Sequence, residues 1–383
     1  MTSSNVVKKK RSREPLFHIA KRADMVWWKA WLIRIAAIVV GMLLIGVISM
    51  LLTEQSFKEV YELMFRGTFG RIFEGRTHML WKFLQNTAIL LCLSLAVTPA
   101  YRMKFWNCGA EGQALIGGLG AMICMMKLGG TMPNWLLIIC VVLASIVGGA
   151  VWGLIPALFG AKYRTNETLF TLMMNYIATQ IVSYYVDISS GGSQVIQPVE
   201  TGALPVIGGQ QYLLNIIIVV VLTVLMFIYL KYSKHGYEIT VVGESRNTAK
   251  YIGINVKAVI IRTMLISGAV CGIAGLLVVA GTDHSIHADS IGGQGFTAIM
   301  ISWLGLFNPF IIAFMSALVI FIKTGVTKVA DTNFINSSLA DISVGIVVLL
   351  VVGCEFFIRY TIKFRHNRPT TDVQKSEKGG ESK

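Results

Sequence analysis

The chain is divided along nearly its whole length into apolar runs long enough to cross a membrane. A helix needs about 20 mostly apolar residues to span the hydrocarbon core of a bilayer. Roughly ten such stretches are present: 31–52, 83–101, 109–128, 134–160, 168–188, 212–231, 262–281, 294–307, 309–325 and 341–360. Backbone that meets lipid must satisfy every N–H and C=O internally. The expected fold is therefore an all-α integral membrane protein of about ten transmembrane helices. Charged residues make up only 14% of the chain, against about 25% in soluble domains. The first run, Trp31 to Leu52, is too long for a signal-peptide core and lacks a small-residue cleavage site, so it reads as an uncleaved anchor.

The net charge of +14 is concentrated at the ends. Lys8, Lys9, Lys10, Arg11, Arg13, Lys21 and Arg22 precede the first run, and Arg359, Lys363, Arg365 and Arg368 follow the last. Excess Lys and Arg marks the cytoplasmic face, so both termini are expected there and the basic balance does not point to nucleic acid. Segment 189–211 has no Lys or Arg and is expected outside; 231–262, with Lys231, Lys234, Arg246, Lys250, Lys257 and Arg262, is expected inside. Segment 53–82 dissents. It is assigned outside yet carries Lys58, Arg66, Arg71, Arg76 and Lys82, and Val60, Leu63 and Met64 suit an interfacial helix. The chain thus reads as a basic cytoplasmic segment (1–30), a transmembrane domain (31–360, with a loop at 231–262) and a disordered cytoplasmic tail (361–383). Within 294–325, Asn308-Pro309 marks either a tight turn between spans or a discontinuous helix.

Polar residues inside the runs carry the functional reading. Asn107-Cys108-Gly109-Ala110-Glu111-Gly112-Gln113 opens the run that ends near Met126. An ionisable group inside a span costs roughly 2.5–3.5 kcal/mol on insertion scales, and glycines permit irregular backbone where it meets protein or a water-lined cavity. A solute path would use Asn86, Asn107, Gln113, Asn175 and Gln294, with Glu111 as its carboxylate. Each amide has a plainer use in joining helices, at ~0.6 kcal/mol per contact, and Glu111 a plainer use at a helix N-terminus. Gly112-Gln113-Ala114 is echoed by Gly293-Gln294-Gly295, 181 residues later. The same interval carries the start of the second span to within two residues of that of the seventh. Those two run in opposite directions, as an inverted repeat requires. His284 and His287 lack a third ligand nearby and read as a polar loop with no metal. The six cysteines, almost all in apolar runs without a Cys-x-x-Cys, read as small hydrophobes.

The inside loop holds Gly243-Glu244-Ser245-Arg246-Asn247-Thr248-Ala249-Lys250-Tyr251-Ile252-Gly253-Ile254. Glu244, Ser245 or Asn247 can cap a short helix with Ala249 and Ile252 on one face and Lys250 on another; Gly253 ends it in a left-handed conformation. Such a helix either docks a cytosolic partner or braces two spans.

Several segments together carry a resemblance. Asn107 to Gly117 resembles the Asn-x-Gly-Ala-Glu-Gly-Gln stretch of ABC-transporter permeases for nucleosides and simple sugars. Lys162-Tyr163-Arg164-Thr165-Asn166-Glu167, followed by Leu172-Met173-Met174-Asn175-Tyr176-Ile177, is similar to a second segment of that family. Gly243 to Ile254 resembles its coupling loop, and Ser267-Gly268-Ala269 with Gly272-Ile273-Ala274-Gly275 the run that follows. The matches fall in order between about 81 and 325. Trp106, Cys108 and Glu244 depart from the family pattern. The resemblance implies a multi-pass subunit of a bacterial plasma-membrane importer, partnered by a cytosolic ABC ATPase, a second permease and a surface-anchored solute-binding protein. Gly243, Glu244, Ser245, Arg246, Asn247, Ala249, Lys250, Tyr251 and Gly253 would form the ATPase coupling site. The implied substrates are nucleosides, then ribose-like sugars. Branched-chain amino acids, handled by neighbours in the same superfamily, need a charge to neutralise the zwitterion, and no intramembrane Arg or Lys is evident for it. The chain has no Gly-x-x-x-x-Gly-Lys-[Ser/Thr], so it is not expected to be an enzyme or to hold a cofactor; ATP and Mg²⁺ would sit in the partner ATPase. The rival reading is a proton- or ion-driven secondary transporter with Glu111 as the carrier.

Overall fold

The computed structural model describes residues 17–21, 26–53, 55–70, 77–163, 165–193 and 195–364. In chain order these form β1 (Phe17–Lys21), α1 (Trp27–Thr53), α2 (Phe57–Phe69), α3 (His78–Arg102), α4 (Ala110–Leu128), α5 (Asn134–Tyr163), α6 (Glu167–Ser190) and α7 (Leu213–Tyr232). There follow α8 (Lys234–Glu244), α9 (Arg246–Tyr251), α10 (Val256–Val278) with a π-helical turn (Val279–Asp283), α11 (Gln294–Leu304), α12 (Pro309–Thr332), α13 (Ser338–Arg359) and β2 (Tyr360–Phe364). Among the described residues seven helices are long and apolar enough to cross a membrane: α1, α3, α5, α7, α10 with its turn, α12 and α13. Helices α4 and α6 have 19 and 24 residues but are more polar, carrying Glu111 and Gln113 in one and Asn175, Gln180 and Asp187 in the other.

Two expectations need correction. The stretch 294–307 does not form a span of its own: α11 has 11 residues, about 16 Å at 1.5 Å per residue, half of the ~30 Å hydrocarbon core. It stops because Leu306 and Phe307 turn into left-handed conformations (φ 51° and 59°). Asn308 then caps α12, its side-chain oxygen accepting from the Phe310 N–H at 3.1 Å, with Pro309 in the first turn. Nor is the chain wholly helical. Segments Phe-His-Ile-Ala-Lys and Tyr-Thr-Ile-Lys-Phe pair antiparallel, Phe17 opposite Phe364 and Lys21 opposite Tyr360. Their aromatic and β-branched content favours extended backbone. Residues 361–364, assigned to a disordered tail by their charge, are thus in β2, and 365–383 lie outside the described residues.

The chain divides into two compact units, Met1–Leu44 with Ile346–Lys383, and Ile45–Gly345. In the first, the early turns of α1 meet the late turns of α13. Arg34 donates to Glu355 at 3.0 Å, and both are largely removed from solvent. Partnering is what makes two such charges tolerable beside apolar helix.

In the second unit α3 is central. Every residue from Ala88 to Tyr101 is buried, as expected of a helix that is apolar all round. Helix α2 lies along α12, burying Val60, Met64 and Thr68 at spacings of four. The expected helix in 53–82 therefore exists, held by packing, while Arg71 and Arg76 lie outside the described residues. The tightest packing joins α4, α5 and α10. A Cβ on Gly272 would run into the Ser145 carbonyl oxygen of α5, and one on Gly275 into the Ala114 carbonyl oxygen of α4. Small residues three or four apart, here Gly268, Gly272 and Gly275 on α10, let membrane helices meet backbone to backbone. Ser145 Oγ donates to the Gly272 carbonyl at 2.7 Å across that contact.

Gly275→Val is expected to lower the unfolding midpoint in detergent, at an overpacking cost of about 1–3 kcal/mol. Gly345→Ala, where no atom lies within 4 Å of the added carbon, should leave the midpoint unchanged.

Candidate functional site

The chain leaves α3 at Arg102, turns through Lys104 (φ 58°) and re-enters the bundle as an irregular strip, 105–109, before α4 begins. Irregular backbone exposes N–H and C=O groups that must find partners, and the amides of the sequence motif supply them. Asn107 is fully buried. Its Nδ2 donates to Ser267 Oγ at 3.1 Å, and its Oδ1 accepts from the Gly109 N–H and from Gln113 Nε2, each at 3.1 Å. Asn175 of α6 accepts from the Gly112 N–H at 2.9 Å and donates to the Cys108 carbonyl at 2.8 Å. Thr171 Oγ1 accepts from the Cys108 N–H at 3.1 Å. Asn107, Gln113 and Asn175 are thus brought together and used up in holding the strip against α6 and α10. These are contacts of the helix-joining kind weighed from sequence.

Glu111 also caps a helix, though a different helix from its own. Its Oε1 accepts from the Gly293 N–H at 2.9 Å and its Oε2 from the Gly295 N–H at 2.7 Å. A carboxylate at a helix N-terminus meets both unsatisfied N–H groups and the positive end of the dipole. The two echoed Gly-Gln motifs therefore lie at the adjoining N-termini of α4 and α11, and Glu111 joins them.

Asn86 and Gln294 lie elsewhere. They line a cavity of about 410 Å³ between α2, α3, α11 and α12, with Lys82, Lys323, Lys328 and Asp331. Gln294 Oε1 is buried there without a partner, and Lys323 pairs with Asp341 at 3.3 Å. The expected span 309–325 already contains Lys323, two residues from its end. The helix runs on to Thr332, which places Lys323 well inside it and Lys328 a turn further on. The lysines are the functional candidates that sequence reasoning missed, and their five-residue interval within an apolar helix was the available signal. Among the described residues no cluster of three or more His, Cys, Asp or Glu is arranged to hold a metal.

At the connection between α7 and α10, α8 and α9 form a compact projection. Gly243 permits α8 to seat on the end of α3: a Cβ there would collide with the Arg102 carbonyl oxygen. Ser245 caps α9, accepting from the Thr248 N–H at 3.2 Å, and Gly253 closes it in a left-handed conformation (φ 83°). Ala249 is buried in a cluster with Met103, Phe105, Val256 and Ile260. Glu244, Asn247, Lys250 and Gly253 face outward, and Tyr251 is 91% exposed at the tip. Arg246 reaches back to Glu167 at 3.3 Å. Its neighbour Arg164 lies outside the described residues.

Residues 79–352 match the family described as branched-chain amino acid transport system permease components. The chain belongs to this family. It is a transport permease and not a catalytic enzyme, a multi-pass protein of the plasma membrane. The permease is 26% identical to the guanosine ABC transporter permease NupP of Bacillus subtilis, over 87% of this chain and 94% of that one. It is 26% identical to the glucose ABC transporter permease TsgB13 of Haloferax volcanii, over 90% and 93% of the two chains. To the nucleoside ABC transporter permease NupB of Lactococcus lactis it is 25% identical, over 84% and 90%.

Glu111→Ala removes the acceptor for two N–H groups and is expected to destabilise the permease by roughly 1.5–3 kcal/mol, read as a lower unfolding midpoint in detergent. Glu111→Gln, which keeps one acceptor oxygen, should fall between.

Proposed function

We propose that this permease is the membrane subunit of an ATP-driven importer of nucleosides, working with a cytosolic ABC ATPase, a second permease and a surface-anchored solute-binding protein. The observation that carries the reading is the α8–α9 projection: a buried root at Ala249, a capped start at Ser245 and a protruding Tyr251. A rigid, short helix that exposes an aromatic and basic tip suits seating in a groove of a partner and passing on its motion as a lever. ATP and Mg²⁺ belong to that partner. Nucleosides are favoured over sugars because two of the relatives above carry nucleoside or guanosine transport in their names and one carries glucose. The fully engaged carboxylate of Glu111 argues against the proton-carrier alternative, since a carrier must exchange partners during each cycle.

In this reading the chain crosses the membrane ten times. The loop 284–293 and the half-length α11 together make one discontinuous crossing, and α4 and α6 make two of the others. Both termini lie in the cytoplasm, in keeping with the pairing of β1 and β2. The hydrogen bonds from the N-terminus of α11 to Glu111 at the start of α4 support the inverted repeat.

Uptake of labelled guanosine by cells expressing the whole transporter is expected to stop on ATP depletion and to survive a protonophore. Loss with the protonophore alone would support the secondary-transport alternative. The double change Arg246→Glu, Tyr251→Ala should abolish uptake and ATPase co-purification while leaving the protein's amount and unfolding midpoint intact; unimpaired uptake would refute the coupling role.

A further inference from the structure

Helix α6 stands apart from the other long helices in what it exposes. The outward residues of α7 are Ile217, Val220, Val221, Val224, Leu225 and Ile228, an aliphatic surface suited to lipid. Along the middle of α5 the exposed residues are likewise apolar, among them Ile139, Leu143, Val147 and Val151. On α6, besides exposed apolar residues such as Met173, Ile177 and Ile188, the outward face carries Tyr176, Gln180 and Tyr184 at four-residue spacing, with Asp187 near its end. Both tyrosines are 69% exposed. Residues four apart share one face of a helix, so the three form a ladder of ring, amide and ring. They line a groove of about 410 Å³ with Ile177 and Ile181. An amide in mid-span has no partner among lipid tails, and spans place such groups toward protein or water. The opposite face of α6 is already engaged with α4, through Asn175 on Gly112 and Ala178 beside it.

The groove leads on toward a polar mouth. Ser183 and Asp187, the next outward steps of α6, line a cavity of about 690 Å³ with Asp283, Ser285, His287 and Asp289. Gln180, Tyr184 and Asp187 thus step along α6 toward that cavity, with Ile177 and Ile181 beside them. The cavity holding Asn86 and Gln294 suits a neutral solute less well, because Lys82, Lys323 and Lys328 line it against Asp331.

We infer that the Tyr176–Gln180–Tyr184 face is the wall along which the solute travels, with the tyrosine rings stacking on a nucleobase and the Gln180 amide hydrogen-bonding its edge. This rests on the nucleoside reading above. Aromatic rings accept any base by its π-face, while one amide, both donor and acceptor, can pair with purine or pyrimidine edges. Sequence reasoning passed over this face because Tyr176 was noted only within the family motif and Gln180 not at all.

The test uses the complete transporter in nanodiscs, where both membrane faces are accessible, in a background whose six native cysteines are replaced and whose uptake is retained. Gln180→Cys is expected to react with a water-soluble thiol reagent, while Val224→Cys on the aliphatic face of α7 stays unreactive. Guanosine should slow the reaction at Gln180→Cys roughly tenfold, and in cells expressing the same transporter Tyr176→Ala should lower guanosine uptake about tenfold, the effect of one lost stacking partner; Tyr176→Phe should retain it. The inference is overturned if Gln180→Cys is as inert as Val224→Cys. It is equally overturned if guanosine gives no protection although the parent complex imports it. Failure of the nucleoside reading shows itself separately, as a parent complex that imports glucose and not guanosine; protection by glucose would then discard base stacking and keep the wall.

Discussion

Backbone contact among α4, α5 and α10 is the constraint on which the rest of this bundle depends. Gly272 and Gly275 bring α10 against carbonyl oxygens of α5 and α4 with no side chain between. Lipid tails are as apolar as leucine, so association of helices in a membrane relies on close packing more than on the hydrophobic effect. Once these three helices are locked, the start of α4 is fixed within reach of Ser267, Gly272's neighbour on α10 by little more than a turn. The strip 105–109 then has a wall to lean on, and Asn107 completes the join.

Polar residues within the bundle divide into two uses. Asn107, Gln113, Asn175, Thr171 and Glu111 satisfy irregular backbone and helix ends, which apolar neighbours could not do. Their polar atoms hydrogen-bond within the chain and so shape the interior. Asn86, Gln294, Gln180 and the tyrosines of α6 instead face cavities or open grooves. Within the first set, Glu111 joins the starts of α4 and α11, whose sequences echo one another.

Much of this was legible from residue order. Long apolar runs located the helices, Asn308-Pro309 marked the break, and Ser245 with Gly253 framed α9, because capping and left-handed turns depend on single residues in local sequence. The end of α12 was not legible: Lys323 and Thr324 resemble a span boundary until Gly325 is seen packing on Met64 of α2, a contact between residues far apart in sequence. Which helix N-terminus Glu111 meets was not legible, since its partner N–H groups lie about 180 residues away. Which amides are spent on structure depends on geometry that spacing does not encode. Asn86 and Asn107 look alike in sequence, yet one lines a cavity and the other is sealed in a hydrogen-bonded network.

The central claim is that this permease acts only as part of an ATP-driven assembly, and isolation of the tagged chain from its own membranes in mild detergent tests it most directly. Mass spectrometry of the co-eluting material should identify an ATPase with a phosphate-binding glycine-rich loop, a second permease and a lipid-anchored binding protein. Elution of the chain alone, under conditions that keep other ABC assemblies whole, would contradict the account.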